Sequence, residues 1–163
     1  MNDQRVSVRM GELKVGTGEM VLLAVGLGSC VGVALYDARA RVAGLAHVKL
    51  PHPSSARRPT PAGRFASTAV DLLITEMEQV GAVRRRLFAR LIGGAAMFES
   101  LLNDDGGPPL GLRNVDAARR ALDAAGVPLY AEEVGGNHGR TVHFYVPDGR
   151  IVVTSVRNPD VIL

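Results

Sequence analysis

Cysteine, aromatic residues and long apolar runs are scarce in this sequence. It has one cysteine, no tryptophan, three tyrosines and four phenylalanines among 163 residues. A single cysteine excludes both an internal disulfide framework and a zinc site built from several cysteines. The longest apolar runs, 20–27 and 42–46, fall far short of the roughly 18 residues that a membrane span needs, and the N-terminal segment lacks the apolar core of a signal peptide. These absences predict a cytoplasmic protein without direct membrane insertion.

Positive charge is carried almost entirely by arginine, with 17 arginines against 2 lysines, and it is unevenly distributed. The formal net charge is −1 over residues 1–38, +7 over 39–90 and −3 over 91–163. A basic middle third predicts either a surface that meets an acidic partner or an ordinary solvated face. The few aromatic residues do not alternate with the basic ones, so the sequence predicts no nucleic-acid partner.

The chain is long enough to bury one core, and we expect a single domain over residues 1–163. Short apolar runs flanked by glycine predict strands at 5–8, 20–25, 31–36, 42–50, 87–92, 127–134, 141–146 and 151–156. Apolar residues at three- and four-residue spacing predict helices at 65–80 and, capped by Asn114, at 114–125. This order indicates an α+β fold, with a mixed sheet or two packed sheets covered on one face by the helices. Residues 51–61 hold four prolines and predict a mobile loop within the domain.

The cysteine lies in a glycine-rich segment between two predicted strands. Cys30 follows Gly26, Gly28 and Ser29 and precedes Gly32. A buried cysteine is often only a small apolar core residue. Two properties of the segment favour a nucleophile instead: the glycines permit unusual backbone angles and close approach of another chain, and backbone N–H groups at the strand ends can stabilise a developing oxyanion.

A histidine lies on the next predicted strand. If residues 37–40 form the hairpin loop, Cys30 lies directly opposite His47, with Cβ atoms about 4.5–5.5 Å apart. A loop one residue longer would place the two side chains on opposite faces. An imidazole beside the thiol can take its proton and later protonate a leaving amine. Metal binding is the alternative, but zinc needs three or four ligands and no third is evident, so no metal or other cofactor is predicted.

Several segments carry a resemblance to a known family. They are Gly26–Val33, Leu35–Asp37, Gly44–Pro51, Gly63–Ala66, Leu91–Ala95, Gly111–Val115 and Glu133–Arg140. Together they resemble the chemoreceptor glutamine deamidase family, CheD, over about residues 20–156. The resemblance implies a β-sandwich with two helices packed on one face, as in other cysteine deamidases. It also implies hydrolysis of the side-chain amides of specific glutamines on bacterial chemotaxis receptors to glutamate and ammonia.

The same resemblance assigns roles to individual residues. It implies that Cys30 is the nucleophile and forms a thioester with the glutamine, and that His47 is the base. The neighbouring Gly28 and Ser29 would contribute to substrate binding and to the oxyanion site.

The resemblance further implies partners. Receptor cytoplasmic regions are helical bundles whose modification sites lie among glutamates and glutamines. Arg57, Arg58 and Arg64 flank the proline-rich loop, where they would steer such an acidic bundle towards the cysteine. Some family members also bind a CheC-type chemotaxis phosphatase, which competes with the receptor.

One position departs from the family pattern. Members commonly carry a threonine six residues before the cysteine, which completes a Cys-His-Thr triad, and here that residue is Ala24. Either a backbone carbonyl or another side chain orients His47, or the enzyme is weakened. The departure keeps open a weakly active or inactive homologue that acts mainly by docking to a CheC-type phosphatase. A third hypothesis is an unrelated cysteine hydrolase with a small-molecule substrate.

Overall fold

The computed structural model describes residues 4–53, 62–97 and 107–163. The described strands are β1 (Gln4–Ser7), β2 (Leu13–Gly16), β3 (Met20–Leu27), β4 (Val31–Asp37), β5 (Val42–Val48), β6 (Phe88–Gly93), β7 (Leu129–Val134), β8 (Arg140–Tyr145), β9 (Ile151–Thr154) and β10 (Val161–Ile162). The helices are α1 (Ala66–Gln79) and α2 (Leu110–Ala125), with short 3₁₀ turns at Ala62–Arg64 and Arg84–Arg86. In these parts of the chain, no helix has the length and apolar character needed to cross a membrane.

The strands form two five-stranded mixed sheets. The first sheet has the order β1-β3-β8-β9-β10 and the second has the order β2-β5-β4-β6-β7. Neighbouring strands are antiparallel except for β1 with β3 and β6 with β7, which are parallel. Both helices cover the second sheet, where α1 contacts β5 and β2 while α2 contacts β6 and β4. The predicted α+β fold, a mixed sandwich with two helices on one face, is confirmed.

The central hairpin β4–β5 is buried at every residue because it is covered on both faces. Successive side chains in a strand point to opposite faces. Ala34 and Leu45 therefore join the core between the two sheets, while Val33 and Ala46 join the core under the helices. This double burial explains why both strands have continuous apolar sequences instead of alternating ones.

The register of this hairpin differs by two residues from the predicted one. Gly32, and not Cys30, lies opposite His47, and the loop consists of residues 38–41. The buried Asp37 carboxylate fixes this turn, since it accepts hydrogen bonds of 3.0 and 3.1 Å from two backbone N–H groups of the loop. A shift of two residues preserves the alternation of the strands. Cys30 and His47 therefore still face the same side, as diagonal neighbours.

Two smaller details also differ from the sequence predictions, and one prediction is not tested. Asn114 does not cap the second helix, because α2 begins at Leu110, directly after Pro109. The short strands β2 and β10 were not predicted from the sequence. Of the loop predicted at 51–61, residues 54–61 lie outside the described residues.

Candidate functional site

The cysteine loop, residues 28–30, connects β3 to β4 and is held against the end of β6. The Gly94 N–H donates to the Cys30 carbonyl (2.8 Å), and the Ala95 N–H donates to the Gly28 carbonyl (2.8 Å). Gly93 has φ 108°, and a Cβ atom there would collide with the Cys30 carbonyl oxygen. Glycine is therefore required at this position, both for its backbone angle and for the close approach. The result is a buried thiol, 5% exposed, on a loop with fixed carbonyls.

A late glycine-rich turn supports this arrangement from the other side of β6. The Gly135 N–H donates to the Gly93 carbonyl (2.9 Å). The buried Arg140 guanidinium in turn donates to the Gly135 carbonyl through Nη1 (2.8 Å). The strand end that holds the cysteine loop is thus itself fixed by hydrogen bonds.

His47 lies on β5 and is 3% exposed. Its Nδ1 is 3.0 Å from the Val8 carbonyl oxygen. A carbonyl can only accept, so Nδ1 carries the proton and Nε2 presents a lone pair. Nε2 is buried and has no hydrogen-bond partner within the described parts of the chain. The imidazole is therefore held in the tautomer that a general base requires, on the face that Cys30 also occupies.

The Val8 carbonyl stands beside the position where the family commonly has threonine. β1 runs parallel to β3 with Ser7 opposite Leu23, and the Val8 N–H donates to the Leu23 carbonyl (2.7 Å). Continuing that register places Val8 next to Ala24. Ala24 itself is fully buried and has only a methyl group to offer. The Val8 carbonyl, directly after β1, thus orients His47 in a chain that has no threonine hydroxyl at position 24.

Burial dominates the electrostatics of the pair. Burial raises the pKa of the Cys30 thiol, while Lys49, Arg64 and the residue's own backbone N–H oppose that rise. Burial lowers the pKa of His47, although the hydrogen bond to the Val8 carbonyl acts in the opposite direction. Both shifts favour an uncharged thiol and a neutral imidazole at neutral pH.

The structure brings together some of the predicted site residues and adds one. Gly28 and Ser29, the two residues before Cys30, are half-buried. Arg64 is close enough to lower the pKa of the thiol, whereas Arg57 and Arg58 lie outside the described residues. Lys49 acts on the thiol in the same way and was missed, although the correct hairpin register would have placed it opposite Cys30.

Asn114 is predicted from the sequence only as a helix cap, but in the structure its side chain bonds the residue that precedes Cys30. Its Nδ2 donates to the Ser29 carbonyl and to the Lys49 carbonyl, each at 2.9 Å. Its Oδ1 and the Nε of Arg64 are buried without hydrogen-bond partners among the described residues, like Nε2 of His47. Unsatisfied buried polar atoms are rare in folded proteins and require an explanation. Each of the three belongs to a residue linked to Cys30: Asn114 bonds the preceding carbonyl, Arg64 lowers the pKa of the thiol, and His47 is its diagonal neighbour.

The described part of the chain contains no group of three or more His, Cys, Asp or Glu side chains that could hold a metal ion. A cavity of about 660 Å³ lies next to the cysteine loop and is lined by Val25, Gly26 and Met97, among others. Met97 lines this cavity and also lies close to the cysteine loop, since a Cβ atom on Gly28 would be 3.2 Å from the Met97 sulfur. The cavity is a neighbouring groove, because Cys30 is not among the residues that line it.

The protein is thus an α+β sandwich that carries a cysteine and an oriented histidine on one buried face, a pairing suited to covalent catalysis at an amide. Comparison with known sequences gives the family. The family model described as CheD chemotactic sensory transduction matches residues 49–155. The chain belongs to the CheD family.

Curated relatives extend the likeness over nearly the whole chain. "Probable chemoreceptor glutamine deamidase CheD" of Caldanaerobacter subterraneus subsp. tengcongensis is 42% identical over 156 residues, covering 96% of each chain. "Probable chemoreceptor glutamine deamidase CheD 2" of Geobacter metallireducens is 44% identical and covers 94% of this chain and 95% of its own. Among solved structures, a Neisseria meningitidis protein of the DUF152 family model has a TM-score of 0.49 at 15% identity, covering 83% of this chain and 63% of that one.

Proposed function

We propose that this chain is a protein-glutamine glutaminase that converts glutamine side chains on chemotaxis receptors to glutamate and ammonia through a Cys30–His47 mechanism. Membership of the CheD family and the names of the relatives support the activity. The mechanism is supported mainly by the hydrogen bonding of the His47 ring. Its Nδ1 donates to the Val8 carbonyl, whereas its Nε2, on the face that Cys30 shares, has no partner among the described residues. Most buried polar atoms in folded proteins are paired, so the unpaired Nε2 favours a catalytic role for this histidine.

The first half of the reaction forms a thioester. His47 Nε2 takes the proton of the Cys30 thiol as the sulfur attacks the amide carbon, and the carbonyl becomes a tetrahedral oxyanion. The imidazolium then gives that proton to the amide nitrogen, so that the C–N bond breaks and ammonia leaves. The second half consumes one water. Nε2 takes a proton from the water as it attacks the thioester, and the sulfur leaves with that proton while the product glutamate is released.

Backbone N–H groups of the cysteine loop are the proposed oxyanion donors. The Cys30 N–H lies close enough to its own sulfur to lower the pKa of the thiol. An amide carbon bonded to that sulfur would bring its oxygen near the same N–H. The N–H groups of the half-buried Gly28 and Ser29, directly before Cys30 in the chain, are the other candidate donors. Loss of one such donor costs about 10²–10³ in rate in comparable sites.

Two basic residues at the site suit an acidic protein substrate. Lys49 and Arg64 both act electrostatically on Cys30. Positive charge at the site attracts the acidic helical bundle of a receptor. Arg57 and Arg58 belong to the same proposal, as residues that steer the bundle.

The alternative of a catalytically inactive docking protein depended on Ala24. The Val8 carbonyl now supplies an acceptor for the imidazole at that place, and this favours an active enzyme. A CheC-type phosphatase remains a proposed partner that would compete with the receptor for the same face.

The test is deamidation of a receptor cytoplasmic fragment, followed by peptide mapping of individual glutamines by mass spectrometry together with ammonia release. We expect the wild-type protein to convert specific glutamines, Cys30→Ala to convert none, and His47→Ala to convert them much more slowly. His143→Ala is the matched control, because His143 lies on the first sheet and pairs with Thr154. Full deamidation by Cys30→Ala would refute the nucleophile assignment.

A further inference from the structure

We propose that Asn114 is a positioning residue that sets the geometry between Cys30 and His47, an inference that rests on the proposed Cys30–His47 mechanism. Asn114 is 0% exposed and projects from α2. Its amide joins two carbonyls that are far apart in sequence, those of Ser29 and Lys49. Ser29 directly precedes the nucleophile, and Lys49 lies two residues after the base. One side chain therefore connects the segment that carries the thiol to the strand that carries the imidazole.

The chemistry of the site explains why an amide is needed. Both partners are carbonyl oxygens, so both must receive an N–H, and the amide nitrogen supplies its two hydrogens at once. The asparagine also has an energetic cost, because its Oδ1 is buried without a hydrogen-bond partner in the parts of the chain that are described. An apolar residue would avoid that cost but would leave both carbonyls unpaired. The two donated bonds therefore account for a polar residue in this core.

The start of α2 also packs closely against the two residues that hold the cysteine loop, Gly94 and Ala95. At Gly111, one turn earlier, a Cβ atom would lie 2.5 Å from the carbonyl oxygens of Gly94 and Ala95. Gly94 and Ala95 are the residues whose N–H groups hold the Cys30 and Gly28 carbonyls. The start of α2 thus contacts the cysteine loop through Asn114, and it contacts the residues that hold this loop through Gly111.

Removing the Asn114 bonds would release the Ser29 and Lys49 carbonyls, which lie beyond the last pair of the β4–β5 ladder, Val31 with Val48, so that the cysteine could shift relative to His47. A displacement of about 1 Å in a catalytic pair costs on the order of 10²-fold in rate, so we expect kcat to fall about 10- to 100-fold in Asn114→Ala and in Asn114→Asp. The latter keeps the shape and removes both donors. The KM for a receptor fragment should change less than about twofold, because Lys49 and Arg64 keep their side chains.

Two measurements separate positioning from general stability. Leu122→Ala is the matched control, since Leu122 is a buried residue of α2 two turns away that belongs to the helix core. It should lower the thermal midpoint while leaving kcat near the wild-type value. The pH profile of Cys30 alkylation should contain an inflection from His47 in the wild type and in Leu122→Ala, and should lose it in the Asn114 variants. If Asn114→Asp does not fold, Asn114→Ala, which buries no charge, gives both readouts.

The proposal is overturned if folded Asn114→Ala keeps wild-type kcat and the inflection, or if its loss of activity matches that of Leu122→Ala. That outcome would leave the proposed function intact as long as Cys30→Ala is inactive. Failure of the proposed function gives a different result, because Cys30→Ala would then deamidate normally.

Discussion

Restoring the family's threonine in Ala24→Thr should not accelerate this enzyme. If His47 had no partner for Nδ1, a new hydrogen bond worth about 0.5–1.5 kcal/mol would raise the rate by roughly 2- to 10-fold, at about 1.4 kcal/mol per factor of ten. Nδ1 already donates to the Val8 carbonyl at 3.0 Å, so a hydroxyl could only exchange one acceptor for another. We therefore expect kcat to stay within about twofold of the wild-type value.

The same substitution should lower stability. Ala24 is 0% exposed in the core between the two sheets, where added atoms typically cost about 1–3 kcal/mol. The assay is single-turnover deamidation of one receptor fragment by both proteins at a temperature where both are folded, with urea unfolding measured in parallel. A rate gain of about fivefold or more, within the range expected for a newly made hydrogen bond, would refute the view that the Val8 carbonyl orients His47.

Two further predictions concern charges near the hairpin and the thiol. Burial raises the pKa of Asp37, but the hydrogen bonds from Arg86 and from backbone N–H groups outweigh burial and hold this pKa at about 2, against an ordinary 3.8. The lowered pKa adds about 2 kcal/mol to the free energy of unfolding above pH 4, and this contribution is lost as the pH falls towards 2. Urea midpoints should therefore fall with acid more steeply for the wild type than for Asp37→Asn, and parallel slopes would contradict this. Lys49→Gln and Arg64→Gln should each raise the pKa of the Cys30 thiol, which alkylation rates from pH 7 to 10 would detect; unchanged profiles in both variants would show that neither charge acts on the sulfur.

The sequence was sufficient to predict the fold class, and apolar runs bounded by glycine located the central hairpin. The shared face of Cys30 and His47 followed only if the hairpin loop had four residues, as it does in the structure at 38–41. The exact pairing could not be predicted, because it depends on where the turn closes. That point is set by the buried Asp37 carboxylate, whose partner Arg86 lies 49 residues away in the chain.

Two components of the site left no clear signal in the sequence. The acceptor for His47 is the backbone carbonyl of Val8, and a backbone group is present at every residue, so only the register of β1 beside β3 selects it. Asn114 was interpreted as a helix cap because asparagine is common there. The helix begins four residues earlier, after Pro109, and this extra turn moves the amide into the site.

In the proposed mechanism, Cys30 forms a thioester with a receptor glutamine, and His47 moves the protons. The most direct measurement is acid-quenched single turnover of the wild-type protein with a receptor peptide, followed by intact-mass and peptide mass spectrometry. The mechanism predicts a transient adduct on the Cys30 peptide with the mass of the receptor peptide less ammonia. The adduct should be absent from Cys30→Ala and should form much more slowly in His47→Ala. Normal deamidation of the receptor peptide by Cys30→Ala would contradict the mechanism.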